Sequence, residues 1–210
     1  MASVYESECS YVPERLSDTA QEAMILRFRQ GRADEAEGIW NVLQDGRRYL
    51  AEQGIDQWQN VFPMISDVQK DIALGHNWVL TLRYYSHEET KTKEAIIGTL
   101  VLFFDEDPTH ASIYEGQWLH NDPAGTIHRV AIDSEYRGKQ FAHMLFNEAY
   151  QLCMWHGIQH LRIDTHEGNK PMRSLVEHQG FSYRGKIITL GGEERLAFEK
   201  TITNDEAEPV

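Results

Sequence analysis

Residues 126–157 read TIHRVAIDSEYRGKQFAHMLFNEAYQLCMWHG, and this stretch decides the fold. Its first seven residues, 126–132, are rich in β-branched side chains and predict a strand. Apolar side chains then recur at helical spacing from Phe141 to Cys153, which predicts an amphipathic helix. Residues 133–140 lie between these two elements. The stretch therefore predicts a strand, a short turn and a helix in direct succession.

The turn has the features of an anion-binding site. The first N–H groups of a helix have no partner within the helix and point toward the residues that precede it. The helix dipole adds partial positive charge at the same end, and Arg137 and Lys139 add formal charge on either side of Gly138. The turn therefore predicts a site for a phosphate or pyrophosphate group.

Length and composition predict one domain. The chain has 210 residues, of which 41% are hydrophobic, and this is enough for one substantial core. Residues 23–203 carry the regular hydrophobic patterns and are expected to form that single domain. A polar N-terminal tail, residues 1–22, and an acidic C-terminal tail, residues 204–210, are expected to flank it.

Charge and residue usage exclude several classes of partner. A formal net charge of −13 argues against nucleic acid. No apolar run approaches the roughly 20 residues of a membrane span, and there is no signal-peptide pattern, so we expect no membrane partner and a cytoplasmic location. Two cysteines, Cys9 and Cys153, cannot form a disulfide framework, and ten histidines without a spaced ligand motif predict no metal.

The remaining segments alternate between strand and helix patterns. Predicted strands cover residues 23–29, 78–85, 95–104, 126–132, 160–165, 181–190 and 195–202. Predicted helices cover residues 31–51, 63–74, 141–156 and 169–179. The segment 105–125 has no sustained period and is expected to be a long loop. The order β-α-α-β-β-β-α-β-α-β-β predicts an α/β (α+β) fold, with helices on the faces of a mixed sheet.

This element order, the run RGKQFA at 137–142 and the run NKPMRSLVEHQGF at 169–181 together resemble the GNAT superfamily of acyl-CoA-dependent N-acyltransferases. The resemblance covers residues 23–202. It implies a mostly antiparallel, seven-stranded sheet with a central splay and helices on both faces. It also implies acetyl-CoA as the co-substrate.

The family's pyrophosphate turn reads Arg or Gln, two residues, Gly, one residue, and Gly or Ala. Arg137 and Ala142 match its first and last positions, whereas Gln140 stands where the family has glycine. The strand before the turn is expected to pair with the pantetheine arm of the cofactor. The residues expected to bind the cofactor are Val130, Ala131, Ile132, Arg137, Gly138, Lys139, Gln140, Phe141, Ala142 and Asn169.

The resemblance implies direct attack of an amine on the acetyl carbonyl in a ternary complex. His128 is the candidate base, since histidine has an unperturbed pKa of about 6.5 and alternation places it on the strand face of Val130 and Ile132. A buried structural histidine is the alternative. Many relatives have a glutamate where Thr126 stands and a tyrosine, the general acid, where Val176 stands. Either the thiolate leaves unassisted, or another group protonates it: Tyr183, His178 or an ordered water.

The acceptor is expected to be a primary amine of a small molecule or peptide. Trp58 and Trp118 lie in predicted loops, where they either plug the core or line the substrate-binding pocket. Many family members are dimers, so the resemblance implies a homodimer. Two other functions stay open: a non-catalytic acyl-CoA-binding or sensing module of the same fold, and an interaction domain that does not bind coenzyme A.

Overall fold

The computed structural model describes residues 5–11, 24–60, 62–84 and 93–203. The predicted C-terminal tail and most of the predicted N-terminal tail lie outside these residues. Within them the chain forms eight strands and four α-helices.

All eight strands belong to one sheet. They are β1 (Ser7–Tyr11), β2 (Met24–Gln30), β3 (Asn77–Tyr84), β4 (Lys93–Phe103), β5 (Gly125–Ile132), β6 (His160–Thr165), β7 (Ser182–Ile188) and β8 (Glu194–Thr201). Their order is β1-β2-β3-β4-β5-β6-β8-β7. Strands β5 and β6 are parallel, and the other neighbouring pairs are antiparallel. The prediction of a mixed, mostly antiparallel sheet is confirmed.

Helices cover both faces of the sheet, as predicted. They are α1 (Ala36–Glu52), α2 (Ile65–Ala73), α3 (Phe141–Trp155) and α4 (Lys170–His178). Ile39 of α1 and Val68 of α2 share a core with Val79 of β3. Leu145 of α3 belongs to a second core with Leu80 of β3. Successive strand residues point to opposite faces, so the adjacent Val79 and Leu80 separate the two cores.

The sheet has eight strands rather than the seven expected, because β1 lies within the segment predicted to be a tail. Strand β1 pairs with β2 at the edge of the sheet. Glu148 of α3 accepts hydrogen bonds from the Tyr5 hydroxyl at 2.8 Å and from the Ser7 hydroxyl at 2.6 Å. The sequence SECSY has no apolar alternation, so it gave no strand signal. Backbone pairing and these polar contacts hold the strand instead.

The segment between β4 and β5 is irregular, as predicted. Its residues 104–124 form only one isolated bridge among the described residues, between Tyr114 and Lys186 of β7. Gly125, which the prediction placed at the end of the loop, is the first residue of β5. The loop therefore connects β4 and β5, which are neighbours in the sheet.

The central splay begins halfway along β5. The parallel pairing of β5 with β6 covers Gly125 to Ile127 and stops there, although β5 continues to Ile132. On its other side β5 has a bulge: His128 pairs with Val101, and Ala131 with Thr99. Arg129, inside the bulge, has a φ of 50°. The second half of β5 therefore presents an edge that β6 does not occupy.

Candidate active site

A cavity of about 1220 Å³ opens at this splay. Six consecutive residues of β5, from Ile127 to Ile132, contribute to its wall. The start of α3 and the start of α4 line one end. Helix α2 and the turn between β7 and β8 line another part, and the segment between α1 and α2 reaches the start of α4, since Nδ2 of Asn169 donates to Oε1 of Gln57 at 3.2 Å. The site therefore lies where the two strands separate, and it is open toward two different sets of elements.

The turn before α3 lines the first end of the cavity. Arg137 donates from Nε to the carbonyl oxygen of Ile132 at 3.2 Å, and its guanidinium lies 4.8 Å from the ring centre of Tyr49. Its Nη2 is buried and has no hydrogen-bond partner among the described residues. Gly138 has a φ of 75°, and a Cβ built on it would meet no heavy atom within 4 Å. The turn thus offers an unpaired donor beside open backbone, which fits a pyrophosphate.

Gln140 shows why glycine would suit its position. It is the N-cap of α3 and adopts the left-handed conformation, with a φ of 62° and a ψ of 8°. This region is open to glycine at little cost, whereas a side chain there costs of the order of 1 kcal/mol. No acidic side chain lies in the first turn of α3 and Gln140 makes no capping hydrogen bond with its side chain, so neither occupies the helix N–H groups. The turn keeps its geometry without the glycine.

The other residues predicted to bind the cofactor differ in placement. Phe141, Ala142 and Asn169 line the cavity with Val130, Ala131 and Ile132. Asn169 is also the N-cap of α4, because its side chain accepts from the N–H of Met172 at 3.2 Å. Lys139 is not among the described residues that line the cavity; its Nζ donates to the carbonyl oxygen of Glu135 at 3.0 Å.

His128 lies in the middle of the cavity wall, between two carboxylates. Its Nε2 is 2.6 Å from Oδ2 of Asp107, and its Nδ1 is 3.9 Å from Oδ1 of Asp164. The same Asp164 oxygen is 3.0 Å from Nε2 of His110, which is buried. The rings of His110 and His128 are 5.5 Å apart. Two histidines and two aspartates therefore form one connected network.

Both carboxylates in this network are ionised at neutral pH. Burial acts to raise the pKa of Asp107, but the hydrogen bond and charge of His128 outweigh it and lower the pKa to about 2. Burial likewise acts to raise the pKa of Asp164, and the hydrogen bond from His110 and the charges of both histidines lower it. An ionised carboxylate only accepts hydrogen bonds, so Nε2 of His128 carries a proton, and Nδ1 is the nitrogen that holds the lone pair whenever the ring is neutral.

The bulge changes the face on which His128 lies. Val101 and Thr99 are two residues apart on β4 and share a face, and their partners on β5 are His128 and Ala131. His128 therefore shares a face with Ala131. The prediction from simple alternation, which placed His128 on the face of Val130 and Ile132, is wrong. The extra residue inside the bulge causes the change. His128 faces the side of the sheet that α1 and α2 cover.

The two tryptophans expected at the acceptor site are placed differently. Trp58 lines the cavity and packs on Gly46 of α1, where a Cβ would come within 3.2 Å of the indole ring. Trp118 is not among the described residues that line the cavity. Its Nε1 donates to the carbonyl oxygen of His110 at 3.0 Å, and its ring stacks on the imidazole. Trp118 thus supports His110 from the side away from His128.

Sequence reasoning missed Asp107, His110 and Asp164. Asp164 could have been suspected, because it is a carboxylate near the end of a predicted strand. Asp107 and His110 lie in the irregular loop, where acidic and polar residues carry no signal of their own. Only the path of the loop across the splay brings them to His128.

Two groups of side chains in the described part of the chain place their ligand atoms close enough to hold a cation. They are Asp107 with His110 and His128, and His120 with Asp122 and His160. In the first group the 2.6 Å contact between His128 and Asp107 is a hydrogen bond, which needs a proton between the two atoms. In the second group the rings of His120 and His160 stack 3.9 Å apart at 20°, so their lone pairs do not converge. A metal-free site stays a prediction.

None of the helices in the described part of the chain is both long and apolar enough to cross a membrane.

Several solved acetyltransferases are similar to this chain in structure. The chain is 27% identical to a GNAT-family acetyltransferase from Streptococcus agalactiae, with a TM-score of 0.69 over 85% of this chain and 96% of the other. A GNAT-family acetyltransferase from Listeria monocytogenes is 18% identical, with a TM-score of 0.62 over 84% and 95%. PaiA N-acetyltransferase from Thermoplasma acidophilum, solved in complex with coenzyme A, is 18% identical, with a TM-score of 0.55 over 84% and 98%.

The fold and its cavity are thus those of an acyltransferase. The model of the acetyltransferase (GNAT) family matches residues 53–181, more than half of the chain, and the chain belongs to that family. A comparison with curated proteins found no match.

Proposed function

We propose that the protein transfers an acetyl group from acetyl-CoA to a primary amine of a small molecule or peptide, by direct attack in a ternary complex. One observation carries the proposal: a single cavity joins the turn at Arg137 to the pair formed by His128 and Asp107. A cofactor bound at the turn and an amine beside His128 would meet at the splay.

The cofactor end is supported by its hydrogen-bond donors. Nη2 of Arg137, the backbone at Gly138 and the first N–H groups of α3 are donors directed at one region. The edge of β5 beyond Ile127 is free of β6 and can pair with the pantetheine arm as an added strand. Structural neighbours point the same way: the PaiA enzyme was solved with coenzyme A, and the NatC complex, 14% identical with a TM-score of 0.56, with coenzyme A and a Gag peptide.

The acceptor end supplies a base. Nδ1 of His128 takes a proton from the ammonium group, and the neutral amine attacks the thioester carbonyl carbon. The C–N bond forms, the C–S bond breaks, coenzyme A leaves as the thiolate, and the second proton of the attacking nitrogen passes to solvent. The positive charge gained by His128 is stabilised by Asp107 at 2.6 Å and by Asp164 at 3.9 Å.

The cysteines support direct transfer. Cys153 is buried in the core, and burial raises the pKa of its thiol to about 12. A thiol with so high a pKa is a poor nucleophile at neutral pH. Neither Cys153 nor Cys9 is among the described residues that line the cavity. An acyl-cysteine intermediate thus has no suitable residue.

The general acid differs from that of many relatives. Val176, at the family's tyrosine position, is buried and has no hydroxyl. A coenzyme A thiol has a pKa of about 8.5 by analogy with cysteine, so departure of the unprotonated thiolate is tolerable. We propose that the thiolate leaves without a protein acid.

A thiol-release assay over a panel of primary amines, combined with calorimetry of coenzyme A, tests the proposal. Release of thiol that depends on both substrates supports it. Binding of coenzyme A without turnover on any amine would instead support the sensing module. Absence of binding would support the interaction domain. The predicted homodimer and cytoplasmic location stay predictions.

A further inference from the structure

The residues that line the cavity limit which acceptor amines can bind. The acceptor side is defined here as the part lined by helix α2, the segment before it and the turn between β7 and β8. Its floor is the pair His128 and Asp107 together with Asp164. The turn at Arg137 lies at the opposite end. Whatever brings an amine to His128 must fit these walls.

The mouth of the acceptor side is apolar and exposed. Phe62, before α2, is 44% exposed, and Leu74, at the end of α2, is 56% exposed. Leu190, in the turn between β7 and β8, is 87% exposed. All three line the cavity, and they come from both of its walls. Large apolar side chains at the mouth of a cavity gain free energy when a ligand covers them, so they favour an acceptor with an apolar body.

The guanidinium groups on this side already face carboxylates. Arg129 contacts both carboxylate oxygens of Asp71 at 2.7 Å. Arg195 lies 3.4 Å from Glu193. Lys70 also lines the cavity but is exposed to solvent on α2. A carboxylate on the acceptor would therefore have to compete with Asp71 and Glu193 for these guanidinium groups.

The floor is anionic. Asp107 and Asp164 are ionised, and they lie on the two nitrogens of the His128 ring, Asp107 at Nε2 and Asp164 at Nδ1. An acceptor that carries a carboxylate next to its amine would bring a third negative charge to this position. Repulsion between like charges in a poorly solvated site disfavours such an acceptor.

We propose that the acceptor is a primary amine on an apolar alkyl or aryl body with no carboxylate beside the amine, and that Phe62, Leu74 and Leu190 bind that body. This inference rests on the proposed function. It narrows the acceptor to one chemical class and separates it from amino acids and from peptide ends.

Three matched amines test the inference. 2-Phenylethylamine has the proposed features, phenylalanine adds an α-carboxylate, and phenylalaninamide replaces that carboxylate with a neutral amide. We expect kcat/KM for phenylethylamine to exceed that for phenylalanine by roughly 100-fold, with most of the loss recovered by the amide. A peptide beginning with phenylalanine reports on peptide ends. Equal or higher kcat/KM for phenylalanine or for the peptide would overturn the inference.

Variants of the mouth test the apolar contacts. Leu190→Ser and Phe62→Ala are each expected to raise KM for phenylethylamine by about 10-fold and to leave KM for ethanolamine, which lacks the apolar body, unchanged. Leu119→Ser is the matched control, since Leu119 is exposed and is not among the described residues lining the cavity. Equal losses on both amines, or none, would contradict the binding role.

Different results would contradict the proposed acetyl transfer and the proposed class of acceptor. Turnover of phenylalanine or of the peptide in preference to phenylethylamine would overturn the acceptor class and leave acetyl transfer intact. Binding of coenzyme A without turnover on any amine would overturn acetyl transfer, and the acceptor class with it.

Discussion

At the scale of the residue, the network around His128 is the feature with the most chemistry. A histidine on a strand is common and has many structural uses. The carboxylates of Asp107 and Asp164 distinguish this one, because they fix its tautomer and stabilise its charged form. Trp118 in turn positions His110, because its Nε1 donates a hydrogen bond to the carbonyl oxygen of His110.

Replacing His128 tests its role as the base. His128→Gln keeps a polar side chain of similar size but removes the titrating nitrogen. We expect kcat to fall by about 100-fold, the pH profile of kcat/KM to flatten between about pH 6 and 8, and the dissociation constant of coenzyme A to stay unchanged. An unaltered pH profile in steady-state assays would make His128 structural.

Replacing Asp107 tests the hydrogen bond through stability. The pKa of Asp107 is lowered to about 2 in the folded protein, from 3.8. Its contribution is therefore fully present above about pH 4 and is lost as the pH falls through about 2. We expect Asp107→Asn to lower the free energy of unfolding at pH 7 by about 2 kcal/mol. Urea denaturation at several pH values should show this difference shrinking below pH 4; a constant difference would contradict the ionised pair.

At the scale of the element, the bulge of β5 and the turn before α3 build the site together. The bulge turns His128 toward the face of α1 and α2, and the pairing of β5 with β6 ends just before it, at Ile127. The turn then directs the N-terminus of α3 at the other end of the same cavity. Arg129, with a φ of 50°, is held in the bulge by its pair with Asp71, whose pKa is raised because burial outweighs the charge of Arg129.

Two neighbouring cations of the turn are expected to behave differently. Arg137 lines the cavity and has an unpaired Nη2, whereas Lys139 is exposed and its ammonium is bonded to the carbonyl oxygen of Glu135. Arg137→Ala should raise KM for acetyl-CoA by about 10-fold with little change in kcat, because the contact is the same in the ground and transition states.

Lys139→Ala is the matched control for this change. We expect it to raise the same constant by no more than about 2-fold, since an exposed charge is screened by solvent. Equal effects of the two substitutions in initial-rate measurements would show that the turn holds the cofactor by charge alone and not by the geometry of Arg137.

At the scale of the whole molecule, eight strands and two helical layers hold the splay open. The core on one side joins α3 to the sheet, and the core on the other side joins α1 and α2 to it. Strand β1 closes the edge farthest from the acceptor side and is tied to α3 through Glu148. The edge strand thus stabilises the sheet, and no residue of β1 is among the described residues that line the cavity.

Glu148 allows this separation to be measured. Glu148→Ala removes the acceptor of two hydrogen bonds, from Tyr5 and Ser7, and is expected to lower the free energy of unfolding by about 2 kcal/mol. Glu148 is not among the described residues that line the cavity, so kcat/KM below the melting temperature should stay unchanged. A large loss of activity in the folded variant would mean that β1 influences the site.

The sequence by itself determined the order of most elements, the two-sided helical cover and the turn at Arg137. These follow from local periodicity, glycine placement and helix capping, which act over a few residues. Strand β1 was not predicted, because a polar edge strand that is held by backbone pairing has no periodic pattern of apolar residues.

Only the tertiary structure decided which side chains surround His128. A one-residue bulge reverses the face of every strand residue beyond it, and alternation in the sequence does not report the bulge. Asp107 and His110 reach the site through an irregular loop whose path no local rule predicts, and Asp164 reaches it because β6 stops pairing with β5 after Ile163. The active-site network is therefore a product of long-range packing, whereas the turn that faces it is a product of local sequence.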